Sequence, residues 1–124
     1  MTSGGGARGE DEAIAGAAVF ETVATVEELP EGSLLAVRTS GGGEVCLFNY
    51  RGQIGAVRNV CTHAEFPLSD GTLDRDGTIE CVWHGARYFC LTGEVRRGPA
   101  VDPVAVYQVR VEEGKVQLLG GRKT

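Results

Sequence analysis

Both histidines of this 124-residue chain and two of its four cysteines fall in two short motifs, Cys61-Thr62-His63 and Cys81-Val82-Trp83-His84. Thiolates and imidazoles are the donors that hold zinc or iron–sulfur clusters. Zinc sites usually pair Cys with Cys at about two to four residues and His with His at about three to five. Here each half mixes one Cys with one His, and Cys-x-His is tighter than a zinc knuckle. The spacing therefore favours a two-iron, two-sulfide cluster, with cysteines on one iron and histidines on the other. A zinc-stabilised interaction module with no redox role is the competing chemistry. Buried apolar cysteines beside ordinary surface histidines are the bland alternative, and the mixing of types in both motifs argues against it.

A chain of 124 residues makes one domain, with room for a core but not for a cluster domain plus a catalytic iron domain. With both histidines taken by the motifs, no two-His-one-carboxylate iron site remains. Gly4-Gly5-Gly6 and Gly41-Gly42-Gly43 lack the strand and helix that flank a dinucleotide-binding glycine motif, and read as tail and hairpin loop. An electron carrier, not an enzyme, is what these exclusions leave. The net charge of −5 argues against nucleic acid and anionic membranes as partners.

Residues 1–18 are Gly- and acid-rich, then Ala-rich, with no basic start and no long apolar stretch. They are expected to be a disordered tail, neither signal peptide nor membrane anchor. Arg96-Arg97 lies too far along the chain for a twin-arginine export signal. A cytoplasmic location follows, where thiols and iron–sulfur ligands persist and structural disulfides are rare. Cys46 and Cys90 are expected to point into the core from strands.

The elements that must position the motifs read as all-β. Short apolar or alternating runs at 20–25, 33–39, 44–50, 53–58, 78–81, 87–91, 104–110 and 115–119 predict strands. The Gly41–Gly43 loop, Arg51-Gly52, Asp76-Gly77, Thr92-Gly93 and Glu113-Gly114 punctuate them, several in hairpin style. Only 26–29, ahead of Pro30, predicts a helical turn. Many short strands at close spacing point to a sandwich or small barrel.

On Cys61-Thr62-His63-Ala64, Cys81-Val82-Trp83-His84-Gly85, Leu68-Ser69-Asp70-Gly71, Cys90 and Thr92-Gly93, the chain resembles the small Rieske-type ferredoxins of bacterial aromatic-ring-hydroxylating dioxygenase systems. The likeness runs over about 20–119. It implies an antiparallel Rieske-type domain over 19–120 with a cluster-binding subdomain inserted at one tip, its loops at about 59–70 and 79–90, and a short C-terminal tail at 121–124. It implies one 2Fe–2S cluster, with Cys61 and Cys81 on one iron and His63 and His84 on the other. It further implies two partners, an NADH-dependent flavoprotein reductase that supplies one electron and a terminal oxygenase that receives it. The small subunit of an assimilatory nitrite reductase shares this fold and is the alternative. Many of that group lack cluster ligands, and this chain keeps all four.

Rieske proteins of respiratory complexes add a disulfide between the two loops, at positions that here hold Phe66 and Trp83. They also place a Ser and a Tyr after the second His as donors to cluster sulfurs; here those positions hold Ala86 and Tyr88. One donor is thus missing, and Tyr88 either keeps the other or is a plain core aromatic; hydrogen bonds to sulfur raise the potential. The expected potential lies at the low end of the Rieske range, roughly −150 mV. Trp83 and Phe66-Pro67 would form an apolar docking rim, the alternative for Trp83 being local packing on the loops. The stretch from Gly98 to Pro103, with Pro99, resembles the proline loop that covers the cluster. Acidic residues Glu65, Asp70, Asp74, Asp76 and Glu80 crowd the segment between the loops. They could be a solvated face or a patch that steers basic partners.

Overall fold

The computed structural model describes residues 20–62, 66–82 and 85–119. The expected ligands His63 and His84, the rim residue Trp83, Glu65, and the tails at 1–18 and 121–124 lie outside the described residues.

Eleven strands are described: β1 (Phe20–Thr25), β2 (Leu34–Arg38), β3 (Glu44–Tyr50), β4 (Gln53–Arg58), β5 (Thr72–Leu73), β6 (Thr78–Glu80), β7 (Arg87–Phe89), β8 (Val95–Arg97), β9 (Val106–Tyr107), β10 (Val109–Glu112) and β11 (Lys115–Leu119). They form three antiparallel sheets in the orders β9-β4-β3-β2, β10-β11-β1 and β5-β6-β7-β8. The all-β expectation holds. The predicted turn after β1 is a 3-10 helix, Val26–Glu28, whose end is fixed when Leu29 N–H donates to the Val26 carbonyl at 3.0 Å.

Strand β3 explains the layering. Val45, Leu47 and, on β4, Ala56 belong to one core with Leu29, Val116 and Leu118. Cys46, Phe48 and, on β4, Val57 belong to a second core with Ile79 and Tyr88. Alternate residues of a strand point to opposite faces. The β9-β4-β3-β2 sheet is therefore covered by β10-β11-β1 on one side and by β5-β6-β7-β8 on the other. That is why 45–48 reads as an unbroken apolar run.

Two hairpins close through Arg51-Gly52 and Glu113-Gly114, with φ of 56° and 90° in the first and 53° and 77° in the second. Positive φ at both central residues matches the twist of the flanking strands.

The single strand expected over 104–110 is two. Val106 pairs with Val57 in one sheet, whereas Val109 pairs with Leu118 in another. Gln108 sits at the crossing, where its carbonyl accepts from Leu119 N–H at 3.0 Å. Alternation continues through such a crossing, so periodicity does not reveal it. Strands β5 and β8 were not expected from the sequence; with two and three residues they carry too little pattern.

Candidate metal centre

Cys61 follows β4 and Cys81 directly follows β6. Each starts a loop that folds back on its own first residue. Cys61 N–H donates to the Phe66 carbonyl at 2.8 Å, and Cys81 N–H donates to the Ala86 carbonyl at 2.8 Å. Both cysteines are buried and share one core cluster with Leu68, Ala86 and Tyr88.

The loops are anchored from below. Buried Asn59 gives its amide N–H to Ser69 Oγ at 2.9 Å and accepts from Ser69 N–H at 2.8 Å. This ties the root of the first loop to the 3-10 turn Leu68–Asp70. Gly71 ends that turn, and a Cβ there would lie 1.8 Å from the Glu80 carbonyl oxygen. Only glycine lets the segment between the loops pack against the residue that precedes Cys81.

Arg87, on β7, donates to Asp74, to Thr78 Oγ1 at 3.0 Å and to Glu80 at 3.2 Å. Asp76 accepts from Thr78 N–H at 3.0 Å and from its hydroxyl at 2.7 Å. These bonds hold the Asp76 carboxyl below its usual range. Three of the crowded acids thus brace the β5–β6–β7 hairpins, with Asp76 exposed like Asp70, and Asp74 and Glu80 half-buried.

Tyr88 pairs with Ile79 across β6 and β7 and is fully buried. Its hydroxyl lies 3.2 Å from Cys61 Sγ, accepts from Thr62 N–H at 3.0 Å and lies 2.9 Å from Thr62 Oγ1. Burial first, then the contact with Cys61, raises the phenol above its ordinary value, which keeps it protonated. Ala86, where the resemblance puts a hydroxyl in other relatives, is buried and offers only a methyl group and its carbonyl.

The segment from Gly98 to Pro103 meets the first loop where Thr62 Oγ1 donates to the Asp102 carbonyl at 2.8 Å. Ala100 and Val104 anchor it in the same core as Cys61 and Cys81, while Pro99 itself is exposed. Among the described residues the three converging segments expose large apolar side chains, Phe66 at 37%, Val82 at 58% and Val101 at 84%.

None of the four cysteines is in a disulfide. Burial, then the charge of neighbouring Cys90, pushes the Cys46 thiol to about 12, and burial pushes Cys90 to about 11. Both remain protonated packing groups. Cys90 differs from expectation in one respect: it lies in the turn after β7, its N–H donating to the Gly77 carbonyl at 2.8 Å.

Asn59 carries no signal of its own in the sequence, and Gly71 appears only as part of the Leu68-Ser69-Asp70-Gly71 segment. Thr62 was detectable only as the one polar residue inside the Cys-x-His motif. Arg87 was detectable as a cation set among acids.

The described residues fit a 2Fe–2S cluster. Two cysteines are buried in one core, each at the root of a closed loop whose motif also carries a histidine, and a protonated phenol is aimed at one sulfur. Thiolates buried in this way need compensation by a metal or by donors.

The Rieske [2Fe-2S] domain matches residues 20–108. The chain is 36% identical over 96 residues to the 3-phenylpropionate/cinnamic acid dioxygenase ferredoxin subunit of Photorhabdus laumondii, covering 77% of this chain and 90% of that protein. Among solved structures, a chain in the complex of reduced oxygenase and oxidised ferredoxin of carbazole 1,9a-dioxygenase superposes with a TM-score of 0.78 at 30% identity, covering 86% of this chain and 97% of that one. A structure assigned as the small subunit of an NADH-dependent nitrite reductase from Mycobacterium tuberculosis is also similar, with a TM-score of 0.72 at 28% identity over 82% of this chain and 95% of that one. With its fold, its paired loops and these likenesses taken together, the chain belongs to the Rieske [2Fe–2S] family, as an electron-carrying ferredoxin of the aromatic-dioxygenase type with one Rieske-type cluster as its cofactor.

Proposed function

We propose that Cys61 and Cys81 hold one iron and His63 and His84 the other, and that this chain carries one electron from an NADH-dependent flavoprotein reductase to a terminal ring-hydroxylating oxygenase in the cytoplasm. The observation that carries this reading is the twin closure of the two loops, with the Tyr88 hydroxyl 3.2 Å from Cys61 Sγ. When bound, the cluster supplies a one-electron couple whose potential follows charge, hydrogen bonding and exposure.

The chain's own residues do the rest. The closed loops and the Asn59–Ser69 pair fix where the sulfurs stand. Tyr88 supplies a donor to one of them, and Ala86 withholds a second. Phe66, Val82 and Val101 offer an apolar edge of the kind that partner surfaces cover. Trp83 is expected to extend that edge. Among the described residues no helix is long and apolar enough to cross a membrane.

Metal analysis and rapid mixing test the proposal together. The purified protein is expected to hold iron and acid-labile sulfide in equal amounts and to give the electron paramagnetic resonance signal of a reduced Rieske centre. Once reduced, it should be reoxidised within milliseconds to seconds of mixing with a terminal oxygenase of this class. A colourless protein containing zinc and no sulfide would overturn the ligand assignment. A loaded protein that no such oxygenase reoxidises would overturn the partner.

A further inference from the structure

The polar contacts around Tyr88 contain fewer hydroxyl protons than they can use. The Asp102 carbonyl can only accept, so the Thr62 hydroxyl donates to it at 2.8 Å. Thr62 N–H donates to the Tyr88 oxygen at 3.0 Å. The single phenol proton then faces two acceptors, Cys61 Sγ at 3.2 Å and Thr62 Oγ1 at 2.9 Å. A cysteine that ligates metal is a thiolate and brings no proton of its own.

From this proton count we infer that Thr62 is a positioning residue that couples the segment from Gly98 to Pro103 to the hydrogen bond between Tyr88 and Cys61. The inference rests on Cys61 being a cluster ligand. While Asp102 holds the Thr62 hydroxyl, the phenol proton is divided between Thr62 Oγ1 and Cys61 Sγ. When the segment lifts, Thr62 can turn its hydroxyl to the Tyr88 oxygen, and the phenol proton goes wholly to the sulfur. A donor on sulfur favours the reduced state. The segment carries Val101, 84% exposed and next to Asp102, so a partner pressing there acts on the same hydrogen bond. Pressing the segment closed weakens the donor on sulfur and makes the carrier a better electron donor.

The test is a double-mutant cycle on the cluster-loaded protein, read as reduction potential by voltammetry. Thr62→Val keeps the shape and the backbone N–H but removes the competing acceptor. It is expected to raise the ratio of reduced to oxidised protein at a fixed applied potential about three- to tenfold; tenfold corresponds to about 59 mV for one electron. Thr62→Ser should restore the parent value. In a Tyr88→Phe background Thr62→Val should produce no further shift, because its effect runs through the phenol. Pro103→Gly, which loosens the segment and keeps both hydroxyls, should also raise the ratio, and only while Tyr88 is present. It carries the test if Thr62→Val loses the cluster. A ratio that falls or stays put, or a rise that survives Tyr88→Phe, overturns the inference. Failure of the ligand reading looks different: Cys61→Ser would keep its full iron and sulfide.

Discussion

Cys61 and Cys81 stand in the same local frame. Each directly follows the strand-rich scaffold, each is buried, and each turns its N–H back to a carbonyl five residues on at 2.8 Å. The surroundings of the two loops differ. The first has the Tyr88 hydroxyl at Cys61 Sγ, Thr62 on that hydroxyl, and the Asp102 carbonyl beyond them. The second ends at Ala86, a buried methyl at the place where related high-potential proteins carry a hydroxyl. Holding is therefore a backbone device repeated twice, and the Tyr88 hydroxyl adds a side-chain device at Cys61. Changes to the first should remove the cluster or the fold around it, and changes to the second should move only the potential.

The largest expected effect comes from the ligands. On the proposed ligand set, His63→Ala or His84→Ala takes one bond from the same iron, and both variants should lose iron and sulfide to a similar extent. Equal metal content in either variant and the parent, with an unchanged paramagnetic signal, would remove that histidine from the site. Loss from one variant alone would break the equivalence of the loops.

Next in size is Gly71→Ala. Its methyl group would meet the Glu80 carbonyl oxygen at 1.8 Å, and the neighbour is backbone that cannot swing aside. Overpacking of this kind costs about 1–3 kcal/mol or more. The strain falls on Glu80, immediately before Cys81, so the second loop should suffer first. A lower denaturation midpoint, with earlier cluster loss on heating, is the expected readout. Unchanged stability would mean that the two segments can part without cost.

What the sequence made legible follows the same division. Strands β1, β3, β4 and β11 could be read to the residue, because long runs with clear alternation or full burial leave little choice of period. The bridge from Gln108 between two sheets could not, since a strand keeps its alternation while changing partners. The tuning contacts were legible only in part. Tyr88 was expected near a sulfur through the family resemblance, and it lies near Cys61. Thr62 and Asp102, forty residues apart in sequence, meet through a hydroxyl and a main-chain carbonyl. A carbonyl has no residue type to reveal it. The acids around Arg87 carried another hidden contact: their types left a solvated face and a steering patch open, and their geometry adds bracing bonds to Arg87 that residue types do not reveal.

Tyr88→Phe removes the donor from the first loop and keeps the ring in the core. The potential should fall, with metal content unchanged. A hydrogen bond to a charged group is worth roughly 1.5–3 kcal/mol, and only its difference between redox states reaches the potential. A shift of up to about 59 mV corresponds to a tenfold change in the one-electron equilibrium. An unchanged value would mean that the phenol proton resides on Thr62 Oγ1 in both states.

The smallest expected effect is the attempt to make the second loop resemble the first. Ala86→Ser adds a hydroxyl to a site with no solvent exposure, where the residue's own carbonyl is already used by Cys81 N–H. The new hydroxyl must therefore find its acceptor toward the loop interior or go without one. If it reaches a cluster sulfur, the reduced state gains more than the oxidised state, because it carries one more negative charge, and the potential rises. If it does not, an unsatisfied buried hydroxyl costs about 1–3 kcal/mol, and stability falls while the potential stays where it was. The two outcomes separate in a pair of measurements, voltammetry and denaturant unfolding of the same variant. A raised potential with stability retained supports a chain path past His84 like that of the high-potential relatives. Lost stability with no rise would mean that the methyl of Ala86 fills a packing position, and that the asymmetry between the loops is fixed by the core and not by the absence of one oxygen atom.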